Sequence, residues 1–361
     1  MNKQERKVAM DLLKKRNVVA VGLGTKKTEG IETRQPAIVV SVKRKVPLET
    51  LSRKDRIPEA INGRPTDVVD VGGEITLRLD DPRFDKRREH RLQAVQSIEL
   101  KRLGFIGKQD ITARERPARP GCSIGHKDIT AGTFGAVAYE NQTGAPMILS
   151  NNHVLANVNK GEIGDHILQP GKYDGGKIPA DIIATLDDFV EIETVSSSDC
   201  ILTSALINFW NWLSGLFGRH SRLSSYRDVT NKVDCALAMP MTAEAIDPFI
   251  PDIGVVTGIA EPKVGMEVLK RGRTTEVTHG KIESIDNIVN VNMGDGDYAI
   301  FEDQTIISGI GGKFSAGGDS GSLILDKSRR AVGLLFAGND SITIANDINN
   351  VLKALDVRLV K

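Results

Sequence analysis

From Cys122 onward the chain is cut into short β-forming runs separated by glycine-bearing turns. Pro146–Ser150, Asp181–Leu186, Val233–Met239, Gly280–Ile285, Gln304–Ser308 and Ala331–Phe336 are examples. Runs of this length cannot serve as helices, and no helical pattern alternates with them as a parallel sheet would require. The stretch must close into a barrel or pair its sheets as a sandwich. Ala131–Tyr139 and Pro146–Ser150 flank a turn containing Asn141 and Gly144, which predicts a hairpin.

Within this region Ala316-Gly317-Gly318-Asp319-Ser320-Gly321-Ser322 stands out. A serine set between glycines can sit on a turn too tight for side chains. Such a turn presents a hydroxyl while backbone N–H groups converge on one point, as an activated nucleophile and an oxyanion hole require. Asn151-Asn152-His153 follows the Pro146–Ser150 strand, and Asp234 precedes an apolar run. The order is therefore His153, Asp234, Ser320. Asp199 and Asp228 compete with Asp234 for the role of the acid. None of the six histidines follows Ser320, which excludes the Ser-acid-His order of α/β-hydrolases, and position 322 is not the glycine their nucleophile elbow needs.

These residues resemble the chymotrypsin/trypsin-like serine peptidases. Gly318-Asp319-Ser320-Gly321 is similar to their nucleophile motif. Ser150-Asn151-Asn152-His153-Val154-Leu155-Ala156 is similar to their histidine motif, with Asn-Asn where Ala-Ala is usual. Lys270-Arg271-Gly272-Arg273-Thr274-Thr275 looks like a strand-turn segment of bacterial members, and the C-terminal two-thirds is similar to intracellular bacterial trypsin-like proteins and to the plant narrow-leaf group. The resemblance implies a mainly-β fold of two six-stranded barrels with the triad between them. It implies a serine endopeptidase acting through an acyl-enzyme, with His153 as base, Asp234 orienting it and the N–H groups of Gly318 and Ser320 holding the oxyanion. It also puts Phe314 at the base of the primary pocket, with Phe336 and Gly338 on a wall that pairs with substrate backbone. No acid stands at 314, so cleavage after an apolar or small substrate residue is expected rather than after Arg or Lys. Nothing in the sequence selects His279 or Asp297 for a pocket. The other readings are a peptide-binding scaffold without turnover and an acyl hydrolase on the same fold.

The rest of the chain divides by composition. Residues 1–119 carry 28 Lys and Arg against 17 Asp and Glu, and the remainder 20 against 30, so two units of opposite charge are expected to attract one another. Residues 1–79 predict a small α+β domain: a helix over Lys3–Arg16, then strands at Asn17–Thr25, Pro36–Lys43 and within Val68–Leu79. Gly22-Leu23-Gly24 lacks the third glycine of a dinucleotide loop, since position 27 is Lys. Residues 80–119 read as a charged linker, and 120–361 as the peptidase domain. A helical insertion at about 200–220, with Phe209, Trp210 and Phe217 on one face, is expected to pack on protein rather than to insert stably in a membrane. Asn346–Leu355 predicts a closing C-terminal helix.

Net charge is +1 and no aromatic residues interleave the basic run, so nucleic acid is not expected as a partner. A protein or peptide substrate is, and self-association is left open. Three cysteines make no disulfide framework and the N-terminus lacks an apolar signal core, which together favour the cytoplasm. With no CxxC or HExxH, no metal or cofactor is expected.

Overall fold

The computed structural model describes residues 1–28, 31–77, 110–195, 230–294 and 296–360. The N-terminal part supplies helix α1 (Lys3–Leu13) and strands β1 (Val18–Thr28), β2 (Ile31–Val42), β3 (Ala60–Ile61), β4 (Arg64–Asp70) and β5 (Ile75–Leu77). There follow β6 (Ser123–His126), β7 (Gly132–Thr133), β8 (Ala136–Glu140), β9 (Pro146–Ser150), the one-turn helix α2 (Asn152–Leu155), β10 (His166–Leu168), β11 (Ile182–Phe189) and β12 (Ala236–Pro240). The last part holds β13 (Gly258–Ile259), β14 (Glu267–Gly272), β15 (Glu276–Gly294), β16 (Asp297–Gly309), β17 (Leu323–Asp326), β18 (Arg330–Gly338), β19 (Ile342–Asp347), helix α3 (Ile348–Ala354) and β20 (Val357–Arg358).

The fold is mainly β and consistent with a chymotrypsin-like type, but of the two six-stranded barrels that the resemblance implies one is a closed six-strand ring and the other a curled eight-stranded sheet. β14, β17, β18, β19, β16 and β15 pair in sequence, and β15 returns to β14, so six strands close into a ring. Closure removes the unpaired edges that an open sheet would expose. Inside the ring Val268, Ile282, Ile307, Phe314, Ile324 and Leu335 form a buried cluster. The first unit is a curled eight-stranded sheet in the order β20-β8-β9-β12-β11-β10-β6-β7, whose concave side is filled by Ile124, Phe134, Ile148, Ile167 and Ile183. Leu149 and Leu237 of this sheet meet Leu323 and Leu334 of the ring and Ile348 of α3 in one cluster, so the two units share an apolar seam.

The expected boundary at residue 79 is not a boundary between cores. β1 runs antiparallel to β15, with Ala20 opposite Val289, and carries β2, β4 and β3 as an extension of the ring's sheet. β5 lies between β15 and β18. α1 is capped by Asn2, whose side chain accepts from the Glu5 N–H, and it buries Ala9, Leu12 and Leu13. Those residues join Val21 and Val40 with Ile288 and Ile300 of the ring. Each fully buried leucine is worth about 2 kcal/mol, so apolar burial rather than charge dominates this junction. Arg6 still pairs with Glu302 and Asp303, and Lys27 with Glu283, while Lys281 of the ring pairs with Glu32 in the opposite sense.

Residues 80–109 lie outside the described part of the chain. The last ten residues of the expected linker do not behave as one: Ile111 and Ala118 are buried, and the Ala118 N–H donates to Ala245 O at 2.8 Å. The expected helical insertion, like Asp199 and Asp228, lies outside the described residues. α3 starts two residues later than expected, capped by Asp347, while Asn346 belongs to β19.

Candidate active site

Ser150 ends β9, and the chain turns at Asn151 into α2, which carries His153. Asp234 stands two residues before β12, the neighbour of β9 in the sheet. The sheet thus brings acid and base together although 81 residues separate them. His153 Nδ1 donates to Asp234 Oδ2 at 2.5 Å, and the His153 main-chain N–H donates to Asp234 Oδ1 at 3.3 Å. The carboxylate fixes the proton on Nδ1 and leaves Nε2 as an acceptor. Among the described residues the buried Nε2 has no hydrogen-bond partner.

Ser320 comes from the other unit, on the turn before β17. Gly318 has φ +89° and Gly321 φ +92°, a region that side chains rarely enter. A Cβ at Gly321 would also overlap Ser150 Oγ and the Thr133 carbonyl. The glycine spacing seen in the sequence is thus required both by the turn and by its close approach to the first sheet. Thr133 seals that contact: its N–H donates to Ser320 O at 2.8 Å and its hydroxyl to Gly318 O at 2.9 Å. The Ser320 hydroxyl donates to the Phe336 carbonyl at 3.3 Å. His153, Asp234 and Ser320 are all fully buried.

Asp319 anchors the nucleophile turn from within. Its Oδ1 accepts from the N–H groups of Thr274 and Thr275, and its Oδ2 from the Ala316 N–H and the Thr275 hydroxyl. The buried Lys270 ammonium lies 3.5 Å away. Burial pulls that lysine below its ordinary range, and the charge of Asp319 opposes the shift. The Lys270–Thr275 segment singled out in the sequence is therefore the seat of the Ser320 turn. Arg273 of this segment clamps Asp174 of the first unit with two 2.6 Å hydrogen bonds, a bidentate bridge between the units.

The other sequence candidates fall as follows. Phe314 is buried among the ring's core residues and its carbonyl accepts from the Thr278 hydroxyl. Beside it, the Ser315 and Thr343 hydroxyls meet at 2.6 Å. Phe336 stacks on Phe301 with ring centres 4.7 Å apart. Gly338, at the end of β18, pairs with Thr76, and Ala337 with Leu77, so β5 covers this edge in antiparallel register. His279 is exposed on β15. Neither of the two described cysteines offers a thiolate: burial pushes the Cys122 thiol up to about 12 and the Cys235 thiol well above its usual range. Among the described residues no cluster could hold a metal, and no helix is long and apolar enough to cross a membrane.

A model of peptidase family S64 matches residues 227–339, a stretch that holds Asp234 and Ser320 but not His153. No curated protein matches the chain. Among solved structures the chain is similar to Thermobifida fusca protease A, at 18% identity over 68% of this chain and 100% of that one, with a TM-score of 0.42. It is similar to the Nocardiopsis protease at 16% identity, 68% and 100% coverage and a TM-score of 0.42. A glutamic acid-specific serine protease matches at 17% identity, 67% and 100% coverage and a TM-score of 0.41. The stretch that the peptidase family model matches includes the Ser320 motif.

Proposed function

We propose that the chain is a serine endopeptidase that works through His153, Asp234 and Ser320 and an acyl-enzyme. The observation that carries this reading is the His153–Asp234 pair held by one unit against a glycine-bounded serine turn of the other. For turnover the Ser320 hydroxyl rotates from the Phe336 carbonyl to His153 Nε2, which has no competing partner. Ser320 Oγ attacks the scissile carbonyl carbon as Nε2 takes its proton. The N–H groups of Gly318 and Ser320 hold the resulting oxyanion, and Asp234 stabilises the imidazolium without being protonated. The C–N bond breaks as Nε2 returns the proton to the leaving amine. A water then gives a proton to Nε2 as its oxygen attacks the acyl carbon; the Oγ–C bond breaks, Nε2 returns the proton to Oγ, and the acid leaves.

An extended peptide substrate would lie along Phe336–Gly338, the edge that Thr76 and Leu77 now occupy. The N-terminal residues are accordingly read as a regulator that covers the site, with no catalytic part of their own. The substrate is a protein or peptide, no cofactor is needed, and the compartment is the cytoplasm. A second reading, a peptide-binding scaffold without turnover, is favoured by the full burial of Ser320 and His153 and the pairing of Ser320 with Phe336.

A fluorophosphonate probe separates the two, because only an activated serine reacts with it. Labelling of the full chain that is lost in Ser320→Ala supports the peptidase. Equal labelling of both proteins refutes it. Digestion of a peptide library then separates an endopeptidase, which leaves cut peptides, from an acyl hydrolase, which leaves them whole.

A further inference from the structure

Asp234 precedes its strand, so no ladder of sheet hydrogen bonds holds its main chain. Among the described residues its carboxylate oxygens accept from His153 alone. Something else must set the direction from which Asp234 approaches the imidazole.

Two buried asparagine amides meet that need. Asn346 Oδ1 accepts from the Asp234 N–H at 3.1 Å, and Asn346 Nδ2 donates to the Asp234 carbonyl at 3.1 Å and to Leu334 O at 3.3 Å. Asn151 Nδ2 donates to the same Asp234 carbonyl at 2.7 Å. Asn346 sits on β19, within the ring that carries Ser320, whereas Asp234 and His153 belong to the curled sheet. Its amide therefore joins the two halves of the triad across the seam between the units. Only a primary amide supplies one acceptor and two donors from one short side chain. Asn346 is fully buried, and both of its donors and its acceptor are engaged. Asn152 spends its amide elsewhere, on Asn159 and the Val190 carbonyl. Of the Asn-Asn pair that replaces Ala-Ala, only Asn151 reaches the acid.

We infer that Asn346 is a positioning residue of the active site: it fixes the main chain of Asp234 relative to the serine-bearing ring, with Asn151 as the second hold. The inference rests on the serine-hydrolase reading for its consequence in turnover, and on geometry alone for its effect on the His153–Asp234 bond.

The test is a double-mutant cycle in the full chain, read by the rate of fluorophosphonate labelling of Ser320. Asn346→Ala should slow labelling about tenfold or more in the native background and leave it unchanged in the Asp234→Asn background, because a residue acting through Asp234 has nothing left to position. An equal loss in both backgrounds, or none in either, overturns the inference. A second readout does not depend on reactivity: the low-field proton resonance of the His153 Nδ1–H held by Asp234 should shift or vanish in Asn346→Ala while the methyl spectrum stays dispersed. An unmoved resonance overturns the inference. If the native chain is not labelled at all, the serine-hydrolase reading fails and the resonance still decides the role of Asn346. Should Asn346→Ala not fold, Asn151→Ala removes one of the three bonds to the Asp234 peptide, and the same cycle applies. Additive loss there overturns the inference equally.

Discussion

The Ser320 hydroxyl donates to the carbonyl of Phe336, sixteen residues further along the chain, and not to His153. Ser320 and His153 are both fully buried, and no hydrogen bond joins them. The bond to Phe336 is 3.3 Å long, near the weak end of O–H···O geometry, so breaking it costs little. Ser320→Ala should therefore leave folding unchanged and lower turnover of an activated ester by about 10⁴-fold or more. Matching turnover by the well-folded variant would remove Ser320 from the mechanism.

Asp234→Asn keeps the size of the acid and its main-chain bonds to Asn346 and Asn151. What it loses is the charge and the choice of tautomer: an amide N–H directed at Nδ1 puts the imidazole proton on Nε2, where it blocks general-base action. The expected fall in kcat is about 10⁴-fold, as in other triads with this change. Rate measurements on Asp199→Asn and Asp228→Asn complete the test, since a comparable fall in either would move the acid away from Asp234.

A pH dependence of stability follows from Asp165. The Glu162 N–H, then the Lys127 ammonium, and then His126 hold its carboxyl well below the usual aspartate range. Between that lowered value and the ordinary value of about 3.9, the unfolded chain binds more protons than the folded one. Stability therefore rises with pH in this window, is fully present above it, and is lost as pH falls through the folded value. Asp165→Asn should be less stable than the native chain by about 2 kcal/mol at pH 7, and the gap should narrow below about pH 4. Urea unfolding at pH 7 and pH 3 checks this. A gap that stays constant would mean that the carboxylate charge contributes nothing.

The parts of the molecule legible in the sequence are those fixed by local rules. Ser320 stood out because its turn demands glycine at 318 and 321, and a tight turn leaves its mark within seven residues. Pro146–Ser150 was legible because the proline tolerated at a strand's first residue and the apolar run after it mark the element directly. Asn346 was hidden. Its type suits a helix cap, and only the tertiary structure shows that Asp347 takes the cap while Asn346 lies within β19. The pairing of Thr76 with Gly338 spans 262 positions, and no local pattern encodes a partner so distant. The charge asymmetry suggested a separate N-terminal unit, because composition cannot reveal that β1 continues the ring's sheet.

Leu77 lies opposite Ala337 and Thr76 opposite Gly338, so the chain's own backbone takes up the edge where a substrate's would pair. Side chains reinforce the strand: the Thr76 hydroxyl donates to Gly338 O at 3.4 Å, Asn339 Nδ2 donates to Glu74 O at 3.3 Å, and Lys43 pairs with Glu74. Ile75 and Leu77 are buried against Phe336 and Ala337, which makes the cover apolar as well as hydrogen-bonded. On the proposed reading, substrate displaces these residues to reach Ser320, and the cost of displacement subtracts from its binding. Thr76→Pro removes a backbone donor from the middle of β5 and weakens its hold. Loss of about 1 kcal/mol corresponds to about a fivefold rise in turnover of a small ester at subsaturating concentration. Asn339→Ala, which cuts only the tie to Glu74, should give a smaller rise without disturbing the fold. Unfolding curves taken beside the kinetics show whether each variant keeps its native structure. If both variants remain folded and neither raises turnover, β5 does not restrain the peptidase and its pairing with β18 is part of the scaffold alone.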